Sequence, residues 1–268
     1  MTDTSPSASR SDSSRIDTSR PHPARVYDYL LGGKDNYLVD QEVAEKLPEA
    51  ARTACVLNRA FMRRAVAWVA GEGVGQFLDI GTGIPTQPNL HQVVQGITPT
   101  ARVVYVDNDP IVLRHAEALL TSAPEGATDY IEADVRDPGR ILDHARTFLD
   151  FDRPVALSLI ALMHFLPDGE HPYALVRELV DALPSGSFLV LSHGTSDFLP
   201  PETGARIHRA YTQGGMTLVG RTHAEVLRFF EGLDLVEPGL VTGPEWYRGG
   251  AAPEFRPNGV YVGVARKP

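Results

Sequence analysis

Three acidic residues stand where short apolar runs give way to turns. Phe77-Leu78-Asp79-Ile80-Gly81-Thr82-Gly83 puts Asp79 two residues before a Gly-x-Gly turn. Glycines at such a turn let a ligand approach the backbone closely. A dinucleotide phosphate site asks for G-x-G-x-x-G, and Thr86 occupies the third glycine position here. A carboxylate beside the turn suits a cationic amino-acid ligand better than a pyrophosphate. The run Val103-Val104-Tyr105-Val106-Asp107-Asn108 ends in a second acid. A carboxylate at a strand tip can accept hydrogen bonds from both hydroxyls of a ribose. Asp107 lies 26 residues past Gly81 (107 − 81), close to the roughly 20 expected of such an acid. Asp109, just before Pro110, fits better as the cap of the next helix. Tyr130-Ile131-Glu132-Ala133-Asp134-Val135 supplies the third acid. Asp134 could accept the exocyclic amine of an adenine, with Val135 offering a backbone N–H and an apolar face. Each feature has a plainer explanation: a strand–helix turn that needs glycines, a helix cap, a turn acid beside Arg136. Three such acids at three successive strand tips are harder to explain that way.

The elements that must hold these residues follow from hydrophobic patterning. Strands are expected at 76–80, 103–107, 129–133, 155–160, 187–192, 233–240 and 260–265. Helices fit between most of them, at about 88–96, 110–121, 138–149, 170–183, 201–213 and 222–231. Short apolar strands alternating with helices predict an α/β fold, a Rossmann-like doubly wound sheet of seven strands covered on both faces. The last two strands are joined without a helix, so the sheet is expected to be mostly parallel with an antiparallel last strand. Before the sheet, short helices are expected at 23–31 and 39–47. Leu57, Phe61, Ala65 and Trp68 form a helical stripe within 49–70. The expected organisation is a disordered tail over 1–20, rich in Ser, Thr, Asp and Arg, a helical cap or lid over 21–71, and a ligand-binding domain over 72–268.

Composition narrows the function classes. With 43% hydrophobic and 22% charged residues, the chain has the balance of a soluble globular protein. The formal net charge of −9 makes nucleic acid a poor default partner. No apolar run is long enough for a membrane span, and no secretory signal is legible at the N-terminus. Cys55 is the one cysteine, which precludes an intrachain disulfide and fits a reducing cytoplasm. No metal site is expected, because the nine histidines form no H-x-x-x-H pair.

Asp79-x-Gly81-x-Gly83, Asp107 and Asp134 resemble the three cofactor motifs of class I S-adenosylmethionine (SAM) methyltransferases. The resemblance implies that Gly81, Thr82 and Gly83 lie against the methionine part of SAM. It implies that Asp107 with Asn108 holds the ribose and Asp134 with Val135 the adenine. Ile84-Pro85-Thr86 departs from the usual motif, which carries a further glycine. Arg25-Val26-Tyr27-Asp28-Tyr29-x-Leu31-Gly32-Gly33-Lys34-Asp35-Asn36-Tyr37, then Asn58-Arg59-x-Phe61, resemble one bacterial family of SAM methyltransferases. That resemblance covers nearly the whole chain after the tail and implies fold and cofactor but no acceptor.

In the cap, Lys34, Asn36, Arg59 and Arg63 are polar groups on elements expected to close over the site. Asn36 and Arg63 are expected to touch the cofactor. A guanidinium can hold a carboxylate with two hydrogen bonds, so Arg63 or Arg59 could take the methionine carboxylate. Methyl transfer is a direct displacement, and a base is needed only where the acceptor must lose a proton. His164 and His193, after the fourth and fifth strands, are the catalytic candidates, with Tyr211 behind them; the plainer explanation of each histidine, a hydrogen-bonded structural side chain, is favoured over the catalytic one. The expected partner is a small-molecule acceptor, with neither nucleic acid nor membrane; acceptor identity and oligomeric state stay open. Two alternatives compete: an NAD(P)-type Rossmann oxidoreductase, and a non-catalytic SAM-binding regulatory protein.

Overall fold

The computed structural model describes residues 17–119, 122–246 and 259–268. Residues 1–16 of the expected tail therefore lie outside the described residues. Residues 17–20 are exposed, and the Arg25 guanidinium donates to the carbonyls of Asp17 and Arg20.

Among the described residues eight strands form one sheet. They are β1 (Gln76–Ile80), β2 (Arg102–Asp107), β3 (Ala127–Glu132), β4 (Ala156–Ile160), β5 (Phe188–Gly194), β6 (Asp234–Leu235), β7 (Val241–Thr242) and β8 (Val260–Arg266). The order is β3-β2-β1-β4-β5-β8-β6, with β7 also on β8. Strands β1 to β5 pair in parallel, and β8 is antiparallel to β5, β6 and β7. This is the expected Rossmann-like sheet with one local difference. The single strand expected over 233–240 is only the two-residue β6, and the equally short β7 begins just past it. Pro238 has no N–H to give to a ladder, and Gly239 (φ +90°) turns the chain between them.

The chain runs from β1 outward to β2 and β3, then returns to β4 on the other side of β1. Neighbouring β1 and β4 mark the switch point, where open sheets hold ligands beyond their carboxyl ends. Residues 76–80 and 102–107 alternate between two cores. Leu78, Ile80, Val104 and Val106 pack with Ile141 and Leu142 of α6 (Pro138–Phe148) and with Val176 and Leu179 of α7 (Pro172–Asp181). Phe77, Val103 and Tyr105 face the opposite layer. Period-two alternation buried on both faces leaves only the strand tips open.

That opposite layer changes the view of the cap. Helices α1 (Pro23–Leu30) and α2 (Leu38–Ala44) precede the long α3 (Glu49–Gly71), while α4 (Leu90–Gln95) follows β1 and α5 (Pro110–Leu119) follows β2. Within α3, Phe61, Ala65, Val66 and Val69 are fully buried in the same core as Phe77, Val103 and Val262. Trp68 meets Phe188 edge-on at 5.7 Å, and Phe61 meets Trp246 at 5.5 Å. The boundary expected at residue 71 thus falls inside one packed layer, and most of α3 is a sheet-covering helix. The cap proper is α1, α2 and the start of α3. It is joined through Val26, Leu30, Val43 and Cys55 to Tyr211 of α8 (Pro201–Gln213) and to Met216.

Candidate functional site

A cavity of about 350 Å³ lies over the tips of β1, β2 and β4, within the size range of small-molecule sites. All eight motif residues expected at the cofactor line it: Asp79, Gly81, Thr82, Gly83, Asp107, Asn108, Asp134 and Val135. They converge because parallel strands place equivalent ends on one edge, and each tip is followed by a turn.

The turn after β1 is built for close approach. Gly81 (φ +73°) and Gly83 (φ +67°) occupy the left-handed region, which costs a residue with a Cβ of order 1 kcal/mol or more. A Cβ on Gly81 would meet Leu162 at 2.8 Å. Asp107 clamps the same turn. Its Oδ2 accepts the Gly83 N–H at 2.8 Å and its Oδ1 the Asp109 N–H at 2.9 Å. Asp109 caps the helix that follows by accepting the Ile111 N–H at 2.9 Å. Burial raises the Asp107 carboxyl above its ordinary value, against these two N–H donors. Burial likewise pushes Asp79 up to about 6, although Ser158, Arg59 and Thr82 pull the other way. Burial also disfavours the charge on Asp134. There the Arg136 backbone N–H, the Asn108 amide and the Arg136 guanidinium outweigh it and hold the carboxyl below the usual range.

The other expected residues stand in different surroundings. Arg63 does not line the cavity; its guanidinium donates to the Gln87 carbonyl at 2.9 Å. Arg59, one helical turn earlier, does line it. One Arg59 Nη donates to the Thr86 carbonyl at 2.7 Å, while its buried Nε has no partner among the described residues. Asn36 is also outside the lining. Its amide donates to Asp28 at 2.8 Å and to the Gly33 carbonyl at 3.1 Å, so it shapes the 32–36 loop. Lys34 is exposed and away from the cavity.

His193 is fully buried and outside the lining. Its Nδ1 lies 2.7 Å from the Gly194 carbonyl and its Nε2 is 2.9 Å from Arg221 Nη1. Arg221 has only donors, so Nε2 accepts and Nδ1 carries the proton. Burial depresses this histidine to about 3. With both nitrogens engaged, His193 has no free atom for a proton transfer. His164 lines a neighbouring cavity instead. Its Nδ1 accepts the Gly194 N–H at 3.1 Å, which places the ring proton on Nε2. Burial, then His193 and Arg221, hold it well below its ordinary value. A second ring proton would have to displace the Gly194 N–H, so this geometry makes His164 a donor rather than a base.

The sequence reading missed contributors from α1. Tyr27 and Asp28 line the cavity, as does His22 just before the helix. Asp28 organises the loop after α1 by accepting from the Asp35 N–H at 3.0 Å and from Asn36. Arg25 is buried with its Nε 3.3 Å from Asp109 and its Nη1 3.7 Å from Asp40, fastening the cap to the end of β2. Acids spaced to serve a Gly-Gly turn and an arginine were the available signal. Their partners lie too far along the chain to be paired by spacing.

The profile of the S-adenosyl methyltransferase family matches residues 9–268. The chain belongs to the S-adenosyl methyltransferase family. SAM is therefore its cofactor, and the enzyme class follows. The chain is similar to a DUF574-family protein of Streptomyces avermitilis MA-4680: 49% identity, 95% of this chain and 100% of that one covered, TM-score 0.90. It is also similar to a candidate methyltransferase of Thermobifida fusca YX at 39% identity, 94% and 97% coverage, TM-score 0.84. The plantazolicin methyltransferase BpumL, solved with S-adenosylhomocysteine (SAH), shares 12% identity over 91% of this chain and 95% of its own at TM-score 0.50. That likeness shows the fold alone. No functionally curated protein matches the sequence. No helix among the described residues is long and apolar enough to cross a membrane.

Proposed function

We propose that this family member binds SAM across the β1, β2 and β3 tips and transfers its methyl group to a small organic acceptor in the cytoplasm. The observation that carries the reading is the convergence of Asp79, Asp107 and Asp134 on one cavity with a glycine-lined floor. In this assignment Asp107 accepts from the ribose hydroxyls, for which its two oxygens are pre-aimed by Gly83 and Asp109. Asp134, fixed by Asn108 and Arg136, accepts the adenine amine beside Val135. Asp79 takes the ammonium of the methionine part. Arg59, whose buried Nε is unpartnered, takes its carboxylate. Gly81, Thr82 and Gly83 supply backbone against the amino-acid chain. When bound, SAM brings an activated methyl group, which passes to an acceptor lone pair as the S–C electron pair stays on sulfur. The protein's contribution is alignment and exclusion of water. Neither His164 nor His193 has a free lone pair to receive a proton.

Titration calorimetry of the full chain with SAH and with NADH tests this. SAH is expected to bind and NADH not. NADH binding without SAH binding would overturn the assignment.

A further inference from the structure

A second cavity of about 150 Å³ adjoins the first, with Tyr27, Ala161 and Phe165 lining both. None of the described residues that line it is Asp, Glu, Lys or Arg, and much of that wall is Leu, Ala, Ile, Val and Phe. It nevertheless contains two buried polar side chains with unused hydrogen-bonding capacity. Asn58, on α3, is 2% exposed, and its Oδ1 has no partner among the described residues. The amide orientation is fixed by chemistry. The Tyr27 hydroxyl spends its proton on the Cys55 carbonyl at 3.0 Å, so at 3.1 Å it must accept from Asn58 Nδ2. Oδ1 is left as a free acceptor. His164, 9% exposed, offers the reverse: with Nδ1 taken by Gly194, its Nε2–H is a donor that none of the described residues accepts.

A buried polar group left without a partner, such as Asn58 Oδ1, is destabilising. An acceptor and a donor left open in one apolar cleft, beside the cofactor cavity, describe a ligand. We propose that this cleft is the methyl-acceptor site, and that it takes an uncharged, ring-sized apolar molecule with a hydroxyl or N–H group. That group donates to Asn58 Oδ1, and an acceptor atom of the same molecule receives the His164 Nε2–H. A carboxylate or ammonium ligand is disfavoured, because no described lining residue offers a counter-charge for it. The methyl route runs past Tyr27, Ala161 and Phe165. In the transfer the acceptor lone pair forms the new bond to carbon, the S–C pair remains on sulfur, and the acceptor proton passes to solvent. The proposal rests on the methyltransferase reading.

The test uses the full chain saturated with SAH and titrated with β-naphthol, naphthalene and β-naphthoate. β-Naphthol is expected to bind about tenfold or more tightly than either comparison compound, the effect of one to two satisfied hydrogen bonds or an avoided buried charge. Ala54→Phe fills the cleft from α3, since Ala54 lines only this cavity. It should weaken β-naphthol about tenfold while SAH affinity stays within about twofold, as for separated sites. Asn58→Leu should abolish the preference for β-naphthol over naphthalene. No β-naphthol binding to SAH-loaded protein, unchanged binding in SAH-competent Ala54→Phe, or equal binding of β-naphthoate would each overturn the site. Failure of the wild type to bind SAH would instead sink the underlying methyltransferase reading, whatever β-naphthol does.

Discussion

Asp79 and Asp107 carry different burdens. Burial raises Asp79 to about 6, so its folded-state value exceeds its unfolded one. Its protonated form is the one folding prefers. The stability it allows is present at low pH and is lost as pH rises from the ordinary carboxylate range through 6, a cost on the order of 3 kcal/mol when it is ionised. Asp79→Asn is therefore expected to stabilise the ligand-free protein at neutral pH in urea titrations while weakening SAH binding. Wild-type SAH affinity should fall as pH drops below about 6, and that dependence should vanish in Asp79→Asn; an unchanged pH profile would remove Asp79 from the ammonium role. Asp107→Ala should weaken SAH binding by about 2 kcal/mol, because the ribose hydroxyls lose a charged acceptor and the Gly83 N–H loses its clamp. Calorimetry showing wild-type affinity in this variant would reject the ribose assignment.

At the scale of elements, α3 joins the two halves of the molecule. Its apolar stripe covers β4, β5 and β8, and arginines from the middle of the helix reach the flanking loops. Arg64 donates to the carbonyls of Trp246 and Gly243, while Arg59 reaches Thr86. Phe61 is fully buried between Trp246 and the sheet. Phe61→Ala should cost about 3–5 kcal/mol, the range for a buried aromatic. If α3 is a sheet layer, circular dichroism and tryptophan fluorescence should report that loss in one coincident urea transition. A separate early transition confined to the cap would show that α3 belongs to an independent unit.

For the whole molecule, the cofactor cavity is assembled from segments far apart in the chain: α1 and α3 on one side, the tips of β1, β2 and β4 on the other. Such a site exists only in the folded state, so its ligand stabilises the fold by mass action. SAH at a hundred times its dissociation constant should add about 2.7 kcal/mol to unfolding stability. Urea midpoints with and without SAH measure this, and NADH should leave the midpoint unmoved.

The strand–helix alternation and the three tip acids were legible because both are local. A parallel strand buried on both faces writes a short apolar run, and a turn that must touch a ligand writes its glycines and its acid within a few positions. The same locality concealed the rest. Arg59 and Arg63 lie one helical turn apart on α3 and look equivalent in the chain, yet Arg59 lines the cavity and Arg63 does not. In the sequence Asn36 looks like a ligand contact, because the partner that occupies it, Asp28, is not encoded in any spacing. What separates His164 and His193 from bases is tertiary: Gly194 and Arg221 occupy their ring nitrogens. Partner choice depends on packing between residues far apart in sequence, and no period or spacing encodes it.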